Sequence, residues 1–237
     1  MGRIFQTRKA TMFKRYAKMA KAFTKIGREI VMAVKIGGPN PDSNPRLRMV
    51  MQNAKAVNMP KVNVDAAIKR ATEKDTSNYD EVIYEGYAPH GVPVLVECTT
   101  NNPTRTVASV RLYFNRANGA LGTNGSVGFM FEHVVLFKID AANLNKDDLE
   151  LELIDFGLED INLDEEHHQF IIQTQFTDFG KMQHALEERK INVIETSKIY
   201  VPTATKELSP EHEAEVMAMI EKMEEDDDIE AVYHNIA

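Results

Sequence analysis

Lys14, Lys18, Lys21, Lys25 and Arg28 recur at steps of four, three, four and three. That spacing holds side chains on one side of an α-helix. Tyr16, Met19, Phe23, Ile26 and Ile30 repeat with the same rhythm, displaced by two residues at several steps. At about 100° per residue, the displacement sets this apolar stripe roughly opposite the cations. A helix over Arg8 to Ile30 would bury aromatic and aliphatic groups on one side and present ammonium and guanidinium groups on the other. Such a ridge neutralises anions, because a single-signed row of cations is costly to hold together without a counter-charge. If about five of these cations meet phosphates, counterion release predicts a log–log salt slope of roughly −4 to −5 on duplex DNA. Contacts of this kind position a protein without reading sequence. Arg8 and Lys9 at one end, and Arg46, Arg48, Lys69 and Arg70 further along, extend the candidate surface. The arginines add bidentate geometry for phosphate or guanine.

Other chemistries find less support. Gly119, Gly122 and Gly125 invite a phosphate-loop reading, but such a loop follows a strand and opens a helix, whereas this stretch follows a helical pattern and opens a strand-like one. Backbone permissiveness in a tight connection is the better account. Arg105 and Arg111 read as structural pairing partners. The seven histidines show no metal-ligand spacing, and His167 and His168 are adjacent, so in a strand they would face opposite sides. Cys98 is the lone cysteine, which excludes an intramolecular disulfide and a thiolate zinc site of its own. The acid run Glu224–Asp228 lacks the alternating ligands and central glycine of a calcium loop and reads as a solvated helix end. No nucleophile–base pair is legible, so the reading is of a non-enzyme without metal or cofactor.

The elements that must position the ridge follow in order. The basic helix runs to about Lys35, after a short polar lead over residues 1–7, and stops at Gly37-Gly38-Pro39-Asn40-Pro41. Asp42, Ser43 and Asn44 are N-cap types and Pro45 suits a first turn, predicting a second helix to about Val57. A third, from about Asn63, places Val64, Ala67, Ile68 and Ala71 at helical spacing. Neither short helix carries Asn, Gln and Arg at base-reading spacing, so sequence-specific readout is not supported. Lys74 to Tyr79 reads as a linker. Beyond it come β-rich runs at Val82–Tyr84 and Val92–Cys98 around the turn Pro89-His90-Gly91, a helix from about Pro103 to Asn118, and a strand at Ser126–Phe131. Residues 134–203 then read β-α-β-β-α-β, the ferredoxin-like order. A helix near Pro210–Glu225 and a strand near Ile229–Tyr233 close the chain. The fold class expected is α+β with three domains. They are a basic three-helix bundle over 1–76, a middle α/β domain over 77–133 plus 204–237, and an α/β domain over 134–203 inserted into it, both α/β domains being ferredoxin-like.

Net charge is −8 over 237 residues, but residues 1–74 hold 17 Lys+Arg against 4 Asp+Glu, while 75–237 hold 11 against 32. A balance of +13 beside one of −21 points to an anionic partner for the basic end, with the acidic remainder held off it. No apolar run approaches the ~20 residues that cross a bilayer. No secretory signal is legible, and the cytoplasm is the expected compartment.

The chain resembles the YebC-like proteins of bacteria and their mitochondrial relative, a translational activator of a cytochrome oxidase subunit. The matching strings run over nearly its whole length. They include Arg8-Lys9-Ala10, Phe23-Thr24-Lys25, Arg28-Glu29-Ile30, Gly37-Gly38 through Pro41-Asp42, and Asn44-Pro45-Arg46-Leu47-Arg48. Asn58-Met59-Pro60-Lys61, Ala67-Ile68-Lys69-Arg70, Tyr84-Glu85-Gly86-Tyr87, Asn102 with Arg105-Thr106-Val107, and Leu121 through Val127 complete the set. Many members begin Gly-His-Ser-Lys-Trp; this chain begins Met1-Gly2-Arg3-Ile4-Phe5-Gln6 and has no Trp, so no role for that aromatic carries over. The resemblance implies a helical domain, two α/β domains and a regulatory role, commonly DNA-binding control of transcription. The mitochondrial relative implies the alternative, a ribosome-associated translation factor contacting structured RNA. The partner expected is therefore DNA, or ribosomal RNA in the alternative, with no membrane.

Overall fold

The computed structural model describes residues 3–73 and 78–237, with side chains of the first helix described from Met19 onward. The stretch 74–77, within the expected linker, lies outside the described residues. Two units result, Met1–Asn78 and Tyr79–Ala237.

The first unit is three helices: α1 (Arg3–Gly37), α2 (Pro45–Ala56) and α3 (Lys61–Thr72). Helix α1 already begins at Arg3, which corrects the non-helical lead expected over 1–7; nothing from Arg3 to Thr7 is Gly or Pro, the residues that break a helix. Both shorter helices pack on α1. Ile26 and Ile30 are buried as the stripe predicts, and Val31, Met32, Ala33 and Val34 are buried too, so the helix is enclosed on every side from Ile30 to Val34, and its last turn, Lys35 to Gly37, is exposed again. The turn after α1 is held by Asn44. Its Oδ1 accepts from Leu47 N at 3.0 Å as the α2 N-cap, while its Nδ2 donates to the Ala33 and Gly38 carbonyls, each at 2.8 Å. A Cβ on Gly37 would lie 2.7 Å from the Asn44 Cγ, so this close approach requires glycine. Asn44→Ala removes the cap and orphans two carbonyls at a buried position; we expect a loss of about 2–3 kcal/mol. Asn44→Asp, which keeps the cap but not the donors, should recover only the smaller part in a urea titration.

The second unit is α+β. In chain order it contains β1 (Asp80–Ala88), β2 (Val92–Thr100), α4 (Pro103–Arg116), β3 (Ala120–Leu121), β4 (Phe131–Asp140), α5 (Lys146–Leu153), β5 (Leu158–Asp164), β6 (Gln169–Gln175), α6 (Phe179–Glu188), β7 (Val193–Pro202), α7 (Pro210–Glu224) and β8 (Ile229–His234). Two four-stranded antiparallel sheets form, ordered β3-β1-β2-β8 and β5-β6-β4-β7. The chain leaves the first sheet after β3, builds the second, and returns through α7 to place β8 beside β2. Val94, Val96 and Cys98 of β2 pack with Val110 and Phe114 of α4 and Val216, Met219 and Met223 of α7. In the second sheet, Val135, Phe137 and Ile139 meet Leu149, Leu153, Met182 and Leu186.

The opposite face of the first sheet joins the second. Leu95, Val127 and Phe131 are buried there with Tyr87, Met130, Tyr200 and Tyr233. An aromatic ladder continues outward: Tyr200 meets Tyr233 edge-on at 5.3 Å and stacks on His133 at 4.4 Å, and His133 stacks on Phe176 at 4.1 Å. Burial, then the charge of Lys198, lowers the His133 pKa, and burial lowers that of His234. Both rings favour the neutral form in the folded state. Protonation of the unfolded chain therefore costs stability as pH falls from about 6.5. We expect urea midpoints to decline below that pH, and His133→Phe, which keeps a ring in the ladder, to flatten the decline.

Ser126–Phe131 is not a strand, correcting the expectation. Only Phe131 enters one, and the preceding residues wrap a buried carboxylate. Glu85, 7% exposed, accepts from the backbone N–H groups of Gly125, Val127 and Gly128, each at 2.7 Å. Burial alone would raise the Glu85 pKa, but these donors hold it below the usual carboxylate value. A Cβ on Gly122 would lie 2.4 Å from Ser126 Oγ, one on Gly86 2.6 Å from the Ala120 carbonyl, and one on Gly119 2.6 Å from that of Tyr87. Gly122 serves this wrapping, while Gly86 and Gly119 let β1 and the connection into β3 approach closely.

Candidate nucleic-acid interface

The five positions of the expected ridge all lie on the uninterrupted helical backbone of α1. Lys21, Lys25 and Arg28 fall on one side of it and are half-buried. They span about 10 Å along the axis at 1.5 Å per residue. The row ends at Arg28, since Met32, one turn on, is buried. Arg8, Lys9, Lys14 and Lys18 lie on the same helical backbone, but their side chains lie outside the described residues.

The remaining cations divide by what they touch. Arg48 donates from Nη1 to the carbonyls of Pro41 at 3.0 Å and Asp42 at 2.9 Å, so it pins the turn between α1 and α2. Arg46, in the first turn of α2, is half-buried. Lys69 and Arg70 are exposed in the last turn of α3, where positive charge also complements the helix end. No acidic residue occupies the first turn of α1, α2 or α3.

Arg105 is a structural partner, as its surroundings predicted. Its Nη2 meets Asp228 Oδ2 at 2.5 Å, and that oxygen also accepts from the hydroxyls of Thr106 at 3.0 Å and Thr100 at 3.2 Å. Burial would raise the Asp228 pKa; the Arg105, Thr106 and Thr100 hydrogen bonds hold it down. Asp228 is thus a buried hub joining the chain's end to β2 and α4, correcting the reading of Glu224–Asp228 as wholly solvated. Glu85 and Asp228 were both missed as organising groups. A signal existed for Glu85: a carboxylate alternating with Ile83 and Tyr87 on one strand face needs donors if that face is covered. Cys98 is fully buried, and burial pushes its thiol up to about 12, the state of an inert core residue. Among the described residues, no group of three or more His, Cys, Asp or Glu is arranged to hold a metal ion. No helix among them is long and apolar enough to cross a membrane.

Comparison with known proteins covers both units. Residues 3–74 match the family model described as the TACO1/YebC protein N-terminal domain, and residues 79–236 that of the TACO1/YebC second and third domain. A Flavobacterium psychrophilum protein named "Probable transcriptional regulatory protein" is 52% identical, the match covering 100% of this chain and 99% of the relative. A Myxococcus xanthus protein of the same name is 50% identical, with 100% of both covered. The crystal structure of a conserved hypothetical protein from Aquifex aeolicus superposes with a TM-score of 0.78 at 35% identity, covering 93% of this chain and 91% of that one.

Proposed function

The chain belongs to the TACO1/YebC family, and from that premise we propose that it is a nucleic-acid-binding regulatory protein that docks phosphate through its N-terminal helical unit. The observation that carries the reading is the alignment of Lys21, Lys25 and Arg28 on one side of α1, in a segment with 17 bases against 4 acids. The names of the relatives favour transcriptional control on duplex DNA as the regulatory act. The domains assigned to it are 1–76, 77–133 with 204–237, and 134–203. The pairing of β8 with β2, and the separate sheet of β4 to β7, support that division. Phosphate docking by lysines and arginines supplies affinity and register rather than base readout. The acidic remainder repels the backbone and restricts docking to the helical unit. No catalytic role is assigned.

Ultraviolet crosslinking in living cells, followed by sequencing of the attached nucleic acid, tests the reading. Recovery of a limited set of promoter segments supports transcriptional control. Recovery concentrated in ribosomal RNA replaces it with the ribosome-associated alternative, and recovery of neither overturns nucleic-acid binding altogether.

A further inference from the structure

A cavity of about 330 Å³ opens between the end of α4 and the outer part of α7. Ala117 and Ala218 contribute almost no bulk to its lining, and the buried Met219 adds an apolar wall. Tyr113 stands at the side with its ring fixed, because its hydroxyl donates to Asp226 Oδ2 at 3.1 Å. Arg116 comes from one helix and Lys222 from the other.

These two cations are the informative pair. Acids outnumber bases 32 to 11 over residues 75–237, and Arg105, Lys138, Lys146, Lys181 and Arg189 each pair with a carboxylate, whereas among the described residues the other bases, Arg116 and Lys222 among them, do not. Among the described residues, Arg116 and Lys222 form no ion pair and no side-chain hydrogen bond, and both are exposed. The carboxylate at the same cavity, Glu215, is engaged by His90 Nε2 at 2.8 Å. Each cation lies in the last turn of its helix, where the macrodipole favours positive charge. That accounts for their type, but not for both lining one cavity with an apolar wall.

We propose that this cavity binds a small anion with an apolar body, its carboxylate or phosphate head held by Arg116 and Lys222 and its body lying against Ala117, Ala218 and Met219 beside Tyr113. The volume sits at the lower end of small-molecule sites, about 300–1,000 Å³, which suits a ligand of roughly 10–20 heavy atoms. The site lies in the second unit and does not depend on the nucleic-acid reading of the first.

The test uses the full chain and anilinonaphthalene sulfonate, an apolar body with an anionic head. Its fluorescence should rise to saturation at one site per chain. In R116E/K222E, affinity should fall at least about tenfold, the loss of one or more charge-assisted contacts. A218W, which fills the cavity at an exposed helix position without changing charge, should abolish the signal while circular dichroism remains native. Displacement by adenosine monophosphate identifies a phosphate head, and displacement by indole-3-acetate a carboxylate head. Inorganic phosphate, which lacks the body, should displace poorly. Undiminished probe binding in both folded variants overturns the proposal, as does failure of both organic anions to displace it.

Discussion

Replacing Glu85 by alanine is expected to lower the unfolding midpoint of the second unit by about 10 °C. The carboxylate is buried and receives three backbone N–H groups at 2.7 Å. Orphaned buried donors cost about 1–3 kcal/mol each; with partial rescue by water, the loss comes to roughly 3–5 kcal/mol. For a unit of this size each kcal/mol moves the midpoint by about 2–4 °C. Glu85→Gln is the sharper comparison: it preserves volume and one acceptor, yet turns an N–H donor toward a site that supplies only donors. It should fall between wild type and alanine. Acid should act in the same direction. The folded pKa of Glu85 is depressed, so its contribution is full above the ordinary carboxylate range near 4 and is lost as pH falls through the folded value. Asp228 obeys the same sign. Calorimetry of E85A and E85Q at neutral pH and near pH 3 separates the cases: the wild-type advantage should be smaller at the second than at the first. An E85A protein melting with wild type would mean that the glycines alone shape the 122–128 connection.

Local chemistry explains which parts of this architecture are legible in the sequence. The α1 stripe, the Asn44-Pro45 cap and the β-α-β-β-α-β order over 134–203 are written in residues within a few turns of one another, and spacing alone reveals them. Ser126–Phe131 was misread because its apolar residues resemble a strand. What overrides them is a carboxylate some 40 residues earlier, meeting N–H groups that no pattern marks. Asp228 was hidden for the same reason. Within an acid run, nothing local separates Asp228, which the entry to β8 carries to Thr100 and Arg105, or Asp226, which meets Tyr113, from their solvated neighbours. Arg48 shows the complementary limit: residue type marks it as an anion ligand, and only the turn between α1 and α2 reveals that carbonyls occupy it.

That division of cations yields the second large effect. Neutralising Lys21, Lys25 and Arg28 together to glutamine should reduce affinity for duplex DNA by about 100-fold at low salt, taking roughly 1 kcal/mol for each phosphate contact. The salt dependence is the stronger signature. Each lost contact removes about 0.9 from the log–log slope on B-DNA, so the triple variant should bind with a slope shallower by about 2.7, and the two curves should converge as salt rises. Lys69→Gln with Arg70→Gln should remove a further ~2 if α3 shares the docking surface, and nothing if its charge serves only the helix end. Arg48→Gln supplies the internal control. Because its guanidinium holds the Pro41 and Asp42 carbonyls, that change should lower thermal stability while leaving the slope near wild type. Fluorescence anisotropy across a salt series, on duplex DNA and on a structured RNA, reads all three variants. A folded triple variant with unchanged affinity and slope on both would remove α1 from the interface. A shallower slope confined to RNA would keep the ridge and move its partner from the promoter to the ribosome.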